Sequence, residues 1–239
     1  MKSSDCSNDM ETGLKAPITE EETGLKAPVT RCVPFVGLDL RKPVVITEQT
    51  LPHWKQTGAS YLVTYRMADS IPASLLNEWR IDRETWLAHH PQPWSIADEA
   101  EYESQFTAKM DEWLDAGTGS CPLRETRVRR EAVRAITIFD DQRHDLDCAV
   151  VMPNHVHLIL KPRPGEDLFL LLGGMKAASA RACNPLLGRT GAFWMEDSYN
   201  RLIRDGKELW AYRHYISRNG RDAGLRDDEF TLIENQVLK

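Results

Sequence analysis

Short apolar runs along the chain predict four strands. Residues 59–67 (ASYLVTYRM) are rich in β-forming residues and half alternating, and two apolar runs at 146–152 and 155–161 are separated only by a Pro-Asn turn. Runs of this length, rich in β-branched and aromatic residues and bounded by turn residues, are typical of strands. A shorter run near 199–203 completes the set.

Apolar residues at helical spacing predict five helices between and after these strands. Strands and helices then follow one another in the order β-α-α-α-β-β-α-β-α. This order favours an α+β fold, an antiparallel sheet with helices packed on one side in a ferredoxin-like arrangement. The predicted helices cover residues 70–90, 97–115, 124–139, 167–187 and 206–219.

The chain of 239 residues is long enough for one sizeable domain with extensions. Its first part holds a duplication, ETGLKAPIT at 11–19 and ETGLKAPVT at 22–30, and two copies are too few for a solenoid. We expect residues 1–50 to form a disordered or loosely docked tail. Residues 51–228 then form a single domain, and residues 229–239 form a C-terminal tail.

The composition argues against several classes of protein. No run of eighteen apolar residues is present, so no membrane span is expected, and the first residues lack the apolar core of a secretory signal. The five cysteines are odd in number and include no CxxC pair, which argues against a disulfide framework or a zinc-thiolate site. These features together predict a cytoplasmic protein.

Charge is distributed unevenly along the chain. The formal net charge is −6, and residues 93–115 carry seven acidic residues against one lysine, whereas residues 176–226 carry ten basic residues against five acidic ones. Because local charge sets the attraction to phosphate, the basic region predicts binding of a polyanion; a solvated helix of mixed charge is the alternative. We expect the acidic stretch, residues 91–122, to be a helical elaboration packed away from the polyanion.

Two histidines begin the strand predicted at 155–161. His155 and His157 are two residues apart, so their side chains point to the same face of the strand and can share one ligand. A metal chelate explains the pair, and two surface or core histidines are the alternative. The nucleotide hydrolases that use a histidine triad are excluded, because the next alternating position holds Ile159.

Three separate stretches carry a resemblance to one family. VVMPNHVHLIL, which contains the histidine pair, resembles the His-hydrophobe-His (HUH) motif of single-tyrosine transposases, in particular the REP-associated tyrosine transposases. GAFWMEDSYNRLIRDGKELWAYRHYISRNGRDAGL, at 191–225, resembles the second sequence block of that family, and HWKQTGASYLVTYRMADSIP, at 53–72, resembles its first strand. The likeness covers roughly residues 51–226 and implies an HUH endonuclease core.

The resemblance implies that Tyr215, within RHYISRN, is the catalytic nucleophile. Asn219 follows four residues later, and positions i and i+4 lie on one face of a helix, so the two side chains project together. Tyr212 and Tyr199 are the alternative nucleophiles.

The resemblance also implies a metal site formed by His155, His157 and Asn219. Two neutral imidazoles and an amide oxygen leave a divalent cation its full charge and open positions, which suits Mg²⁺ or Mn²⁺ better than structural zinc. The family usually has Asn-Pro where this chain has Asn219-Gly220. Both glycine and proline stop a helix, so we expect the helix to end there with the ligand retained.

By resemblance, the expected function is metal-dependent cleavage and transfer of single-stranded DNA at or near hairpins of repetitive extragenic palindromes, through a covalent 5′-phosphotyrosine intermediate. The alternatives are a domesticated hairpin-binding protein without turnover and a related replication or conjugation initiator. We expect a bacterial protein that acts as a monomer, with a dimer as the alternative, and that has no membrane partner. The expected DNA-binding residues are Lys176, Arg181, Arg189, Trp194, Arg201, Arg204, Lys207, Arg213, Arg218 and Arg221.

Overall fold

The structure, a computed structural model, describes residues 33–43, 45–48, 52–92 and 94–235. The duplicated ETGLKAP segment lies outside the described residues. The strands are β1 (Val45–Glu48), β2 (Pro52–Lys55), β3 (Tyr61–Arg66), β4 (His144–Val151), β5 (His155–Pro162), β6 (Tyr199–Leu202) and β7 (Thr231–Glu234). The α-helices are α1 (Ala73–His89), α2 (Ile96–Tyr102), α3 (Ala108–Asp115), α4 (Thr126–Thr137), α5 (Leu168–Leu186) and α6 (Gly206–Asp222), and a π-helical turn (Glu103–Thr107) joins α2 to α3.

Five strands form one antiparallel sheet in the order β6-β3-β5-β4-β7. The chain path β3-α4-β4-β5-α5-β6 is a β-α-β-β-α-β unit, so the predicted α+β class and the ferredoxin-like arrangement are confirmed. Helices α1 to α3 are inserted between β3 and α4. Strand β5, which carries the histidine pair, is the middle strand and is therefore shielded by neighbours on both edges.

Helices cover both faces of the sheet. On one face, alternate residues such as Val63 and Leu158 pack against α4 and α5. On the other face, Leu62 and Ile159 pack against α6. The expectation that the helices lie on one side therefore holds for α4 and α5 but is wrong for α6, because the intervening positions of these strands are also partly apolar. Within the described residues, no helix combines the length and the apolar character that crossing a bilayer requires.

The helix that carries Tyr215 continues to Asp222. The expectation that it ends at Asn219-Gly220 is therefore wrong. The chain leaves the helix at Gly224, whose φ of +72° is the left-handed conformation that glycine adopts without strain. Gly220 has a different role, because a Cβ at this position would lie 2.7 Å from the ring of Phe230. The missing side chain therefore lets Phe230 pack directly on α6.

The segment assigned to a C-terminal tail contributes β7, which pairs with β4 at the edge of the sheet. The buried guanidinium of Arg129 in α4 fixes this segment, since it donates to Thr231 Oγ1 at 2.9 Å and to the carbonyl oxygens of Leu123 and Asp228 at 2.8 and 2.7 Å. The prediction of a tail at 229–239 is therefore wrong over the residues of β7. A four-residue strand with a mixed pattern gives too weak a periodic signal to be recognised in the sequence.

Part of the segment assigned to the N-terminal tail also contacts the domain. The backbone N–H of Leu38 donates to the carbonyl oxygen of Ile203 at 3.2 Å, and Lys161 donates to the carbonyl oxygen of Pro34 at 3.1 Å. Strands β1 and β2 pair with each other as a separate two-stranded sheet. The domain therefore receives packing contacts from residues before 51.

Candidate functional site

The two histidines lie inside the protein, on the face of β5 that packs towards α6. The exposed fractions of His155 and His157 are 0% and 1%. In the sheet, His157 is paired with Thr64 of β3. The ring centroids of His155 and His157 are 4.6 Å apart. The pair is therefore not a pair of surface histidines.

Hydrogen bonds to the Nδ1 atoms orient both rings. Nδ1 of His155 lies 2.7 Å from Asn154 Oδ1, and Nδ1 of His157 lies 2.7 Å from Thr64 Oγ1. Partners of this kind, on the nitrogen that does not face the ligand, are typical of metal-binding histidines. Burial lowers the pKa of His155 well below its usual value and lowers the pKa of His157 to about 3. Both rings are therefore neutral at physiological pH, which is the form that binds a metal.

Helix α6 brings the predicted nucleophile to this pair. The hydroxyl of Tyr215 lies 3.2 Å from Nε2 of His157, and the two rings are 5.1 Å apart in an edge-to-face arrangement. Asn219, one turn further along α6, is 3% exposed, and its side-chain oxygen has no hydrogen-bond partner. The i, i+4 spacing read in the sequence thus places both side chains on the face of α6 that meets β5.

The two alternative tyrosines have other partners. The hydroxyl of Tyr212 lies 3.3 Å from a carboxylate oxygen of Glu208, and the half-buried Tyr199 side chain interacts with the guanidinium of Arg201. Both rings pack against the α6 side of the sheet. Among these three tyrosines, Tyr215 is the one whose hydroxyl contacts the histidine pair.

Two carboxylates that the sequence did not single out complete the surroundings of Tyr215. They belong to the acidic segment, which we define as Ile96–Asp115. The Asp111 side chain faces the Tyr215 hydroxyl, and the Asp115 side chain faces the Asn219 side chain, closely enough for each pair to interact. Oδ1 of Asp115 also lies 3.7 Å from Nε2 of His155. The acidic segment therefore packs onto the site, whereas the sequence pattern suggested an elaboration away from it.

The electrostatics of the site lack a positive charge. Burial raises the pKa of Asp111 to about 7 and that of Asp115 to about 6. Burial, followed by the charges of Asp111 and Asp115, raises the pKa of Tyr215. Among the described residues, neither carboxylate forms an ion pair with a lysine or an arginine. A bound cation would supply the missing charge and would favour the ionised forms of all these oxygens.

Three buried polar atoms at this place have no hydrogen-bond partner: His155 Nε2, Asn219 Oδ1 and Asp115 Oδ1. Each such atom costs roughly 1–3 kcal/mol when it stays unsatisfied, so three together call for a shared partner. Across the described part of the chain, no group of three His, Cys, Asp or Glu side chains is placed to hold a metal ion. The donor set nevertheless fits a hard divalent cation, because it adds an amide oxygen to the imidazoles and leaves positions open.

A cavity of about 370 Å³ opens beside Tyr215. It lies between β3, α1, the acidic segment and α6, and its walls are largely aromatic and apolar. Two guanidinium groups, from Arg66 and Arg80, and three carboxylates, from Glu103, Asp111 and Asp197, line the same space. The cavity therefore leaves open space with charges of both signs beside the tyrosine.

Two of the expected DNA-binding arginines contact the acidic segment. Arg204 pairs with Glu99 at 2.7 Å, and Arg201 lies 3.6 Å from Glu103. These contacts join the acidic stretch to the basic region, so opposite charges that are separate in the sequence neutralise each other in the fold. Phosphate binding by Arg201 or Arg204 would require these ion pairs to be exchanged.

Three further residues of the expected set are held by the protein itself. Arg213 forms a two-pronged ion pair with the buried carboxylate of Asp147, both contacts being 2.7 Å. Lys176 donates to backbone carbonyl oxygens, and Arg189 donates to the side chain of Asn184 at 3.2 Å. Arg213 in particular is a structural residue, because it anchors α6 to β4.

Trp194 does not match the expectation that it binds DNA. Its exposed fraction is 6%, its indole N–H donates to Ser179 at 2.8 Å, and its ring packs edge-to-face on Tyr65 at 4.8 Å. The indole thus belongs to the core between the sheet and α5. A buried ring with its N–H satisfied offers no free face to a base.

The remaining basic residues of the set are exposed, and most of them lie on α6. Arg181 is exposed on α5. On α6 the exposed residues follow a helical stripe that includes an aromatic ring, Trp210, which is 61% exposed and stacked on His214. Intrahelical and nearby carboxylates pair with two of these arginines at the surface, where such pairs are weak. The stripe consists of Lys207, Trp210, His214, Arg218 and Arg221.

Similarity to known proteins is found among solved structures. No family model matches the chain, and no curated protein matches it. A solved REP-associated tyrosine transposase bound to a REP hairpin is similar over 73% of this chain and 73% of its own, with 14% identity and a TM-score of 0.41. A transposase candidate from Deinococcus radiodurans R1 is similar over 66% of this chain and 88% of its own, with 12% identity and a TM-score of 0.29. At such low TM-scores, neither similarity by itself assigns a function to this chain.

Proposed function

We propose that this protein is a metal-dependent endonuclease and strand transferase for single-stranded DNA, with Tyr215 as its nucleophile. The observation that carries the proposal is the 3.2 Å contact between the Tyr215 hydroxyl and Nε2 of His157. A phenol and a buried imidazole pair from distant parts of the chain meet where Asn219 also leaves an oxygen unpaired. The sequence motifs that resemble those of REP-associated tyrosine transposases lead to the same chemistry.

The side chains at the site divide the reaction between them. The oxygen of Tyr215 attacks the phosphorus of a phosphodiester, a tyrosine–phosphorus bond forms, and the bond to the 3′ oxygen breaks, leaving a 3′-OH and a 5′-phosphotyrosine. Asp111, whose side chain faces the Tyr215 hydroxyl, is placed to accept the phenol proton, and the departing 3′ oxygen takes up a proton from solvent water. His155, His157 and Asn219 would hold a divalent cation, Mg²⁺ or Mn²⁺, which supplies positive charge to the phosphate oxygens.

The covalent bond to Tyr215 explains why strand transfer is possible. A phosphotyrosine retains the energy of the original phosphodiester, so a second 3′-OH can displace the tyrosine and rejoin the strand. All the groups named come from one chain. A monomer therefore suffices for cleavage, without a helix supplied by a second subunit.

We infer that the exposed stripe of α6 guides the strand towards the site. It places two arginines, a lysine and the exposed Trp210 on the helix that carries Tyr215. Alternating cations and aromatic rings hold single strands by contacting phosphates and by stacking on bases. Hairpin DNA with single-stranded flanks is the substrate class that the sequence resemblance favours, and such a substrate places the enzyme in the bacterial cytoplasm.

The test is the formation of a covalent adduct with a hairpin oligonucleotide that carries single-stranded flanks. With Mn²⁺ present, a strand labelled at its 3′ end should become attached to the protein in denaturing gels, whereas a strand labelled at its 5′ end should be released as a shorter fragment. Tyr215→Phe should abolish the adduct, and a chelator should do the same. Tyr212→Phe, which removes a hydroxyl three residues away on the same helix, is the matched control and should still form it.

Two results would contradict the proposal. One is the absence of any adduct with the wild-type protein, and the other is an adduct that persists in Tyr215→Phe. If no adduct forms but hairpin binding is tight and unchanged by Tyr215→Phe or by a chelator, the protein is instead a hairpin-binding protein without turnover.

A further inference from the structure

The end of the acidic segment supplies a carboxylate to the histidine pair. Asp115, the last residue of α3, has Oδ1 at 3.7 Å from Nε2 of His155. Two donor atoms that each lie about 2.1 Å from one cation are about 3 to 4 Å apart. The observed separation therefore matches that of two atoms that share a metal ion.

The unpaired polar atoms at this place also favour a shared metal ion. His155 Nε2, Asn219 Oδ1 and Asp115 Oδ1 come from β5, α6 and α3, and all three are buried without a hydrogen-bond partner. His155 is fully buried and Asn219 is 3% exposed, so bulk water does not satisfy them. The only basic group near the Asp115 carboxylate among the described ion pairs is His155 itself, which burial keeps neutral.

We propose that Asp115 is an additional ligand of the divalent metal, supplied by the acidic segment on the His155 side of the site. Among the described residues no three His, Cys, Asp or Glu side chains are placed to hold a metal ion as they stand, so metal binding would draw the Asp115 carboxylate and the two imidazoles closer together. This inference rests on the metal site of the proposed function and adds to it a residue outside the HUH motif and outside α6. Two imidazoles and an amide form a neutral site, and a carboxylate gives it a negative charge. Hard cations such as Mg²⁺ and Mn²⁺ prefer such oxygen donors.

The competing explanation is that Asp115 only positions Asn219, whose side chain it faces. The two roles respond differently to Asp115→Asn. The amide of the variant keeps a hydrogen-bonding group beside Asn219 but removes the negative charge and weakens the oxygen as a donor. A positioning role would leave the affinity for metal nearly unchanged, whereas a ligand role would not.

The experiment measures Mn²⁺ binding to the metal-free, full-length protein by isothermal titration calorimetry and by the electron paramagnetic resonance of free Mn²⁺. Asp115→Asn and Asp115→Ala should each bind Mn²⁺ at least about 10-fold more weakly than the wild type, the lower limit for loss of groups around a metal. Glu112→Gln removes one charge from the exposed side of the same helix and is the matched control. It should bind Mn²⁺ as the wild type does.

A second readout does not depend on affinity. If Asp115 binds the metal, Mn²⁺ should increase the protection of amides in α3 against hydrogen exchange in the wild type and in Glu112→Gln, but not in Asp115→Asn. Circular dichroism checks that each variant is folded.

The outcomes separate this inference from the proposed function. If His157→Ala loses Mn²⁺ binding while both Asp115 variants keep wild-type affinity, Asp115 is not a ligand, and the metal site of the proposed function stands without it. If the wild-type protein binds no Mn²⁺, both the metal site and this inference are overturned. Loss of affinity in Glu112→Gln equal to that in Asp115→Asn would also overturn the inference, because the effect would then come from helix charge alone.

Discussion

The substitution Asp111→Asn tests how the half-buried acidic group beside the nucleophile affects folding. In the metal-free protein, burial raises the pKa of Asp111 to about 7, whereas the unfolded chain has a value near 4. The folded state therefore holds a proton that the unfolded state has lost between about pH 4 and pH 7. Stability from this group is fully present below about pH 4 and is lost as the pH rises to about 7.

The size of the effect follows from the same difference. Each unit of difference between the folded and unfolded pKa values corresponds to about 1.4 kcal/mol in the free energy of unfolding. The difference of about 3 units therefore gives an upper limit of about 4 kcal/mol. Because the side chain is only half-buried, partial screening by solvent reduces this to about 1–3 kcal/mol. Asparagine keeps an oxygen for the Tyr215 hydroxyl but cannot ionise, so Asp111→Asn should be more stable than the wild type at pH 8 by that amount.

The assay is urea unfolding in the presence of a chelator at several values between pH 4 and pH 8. The difference between Asp111→Asn and the wild type should be near zero at pH 4 and should grow up to about pH 7. Glu112→Gln, its exposed neighbour on α3, should show no such trend. A variant that is less stable than the wild type at pH 8, or a difference that does not change with pH, would refute the reasoning.

Four further changes test other parts of the structure. Gly220→Ala should lower the melting temperature, by a loss of about 1–3 kcal/mol, because its Cβ would lie 2.7 Å from the Phe230 ring; an unchanged value would show that the two do not pack closely. Arg129→Met should cost about 3–5 kcal/mol in urea unfolding, since one buried and two partly buried hydrogen-bond acceptors lose their donor, and a cost below about 1 kcal/mol would contradict this contact. Trp210→Ala should weaken binding of single-stranded DNA by about 1–3 kcal/mol in fluorescence anisotropy, and unchanged binding would exclude stacking on this ring. Mn²⁺ at 100 times its dissociation constant should stabilise the wild type by about 2.7 kcal/mol in thermal unfolding, but not His157→Ala.

Asp111 and Asp115 show why single sequence motifs do not predict every residue of the site. Asp111 and Asp115 have the same i, i+4 spacing as Tyr215 and Asn219, so each pair lies on one face of its helix. The spacing was therefore visible, and it predicts two carboxylates on one side of α3. Which element that side would meet was not visible, because acidic helix faces more often point to solvent.

The local geometry of this protein follows from its sequence alone. The period of two in β5 places His155 and His157 on one face, and the helical period of α6 places Tyr215 and Asn219 together; the structure shows both arrangements. The order of strands and helices also determined the α+β class. These features depend on backbone geometry over a few residues, so the pattern of side chains is sufficient to predict them.

Which of these surfaces meet depends on how the whole domain packs. The tertiary structure placed Asp115 beside His155, paired Glu99 with Arg204, and put the indole of Trp194 into the core rather than at the surface. Each contact joins residues that are far apart in the sequence, or depends on which side of an element is covered. Packing over the whole domain fixes such contacts, because burial and charge pairing are properties of the assembled surfaces and leave no periodic signal in either segment alone.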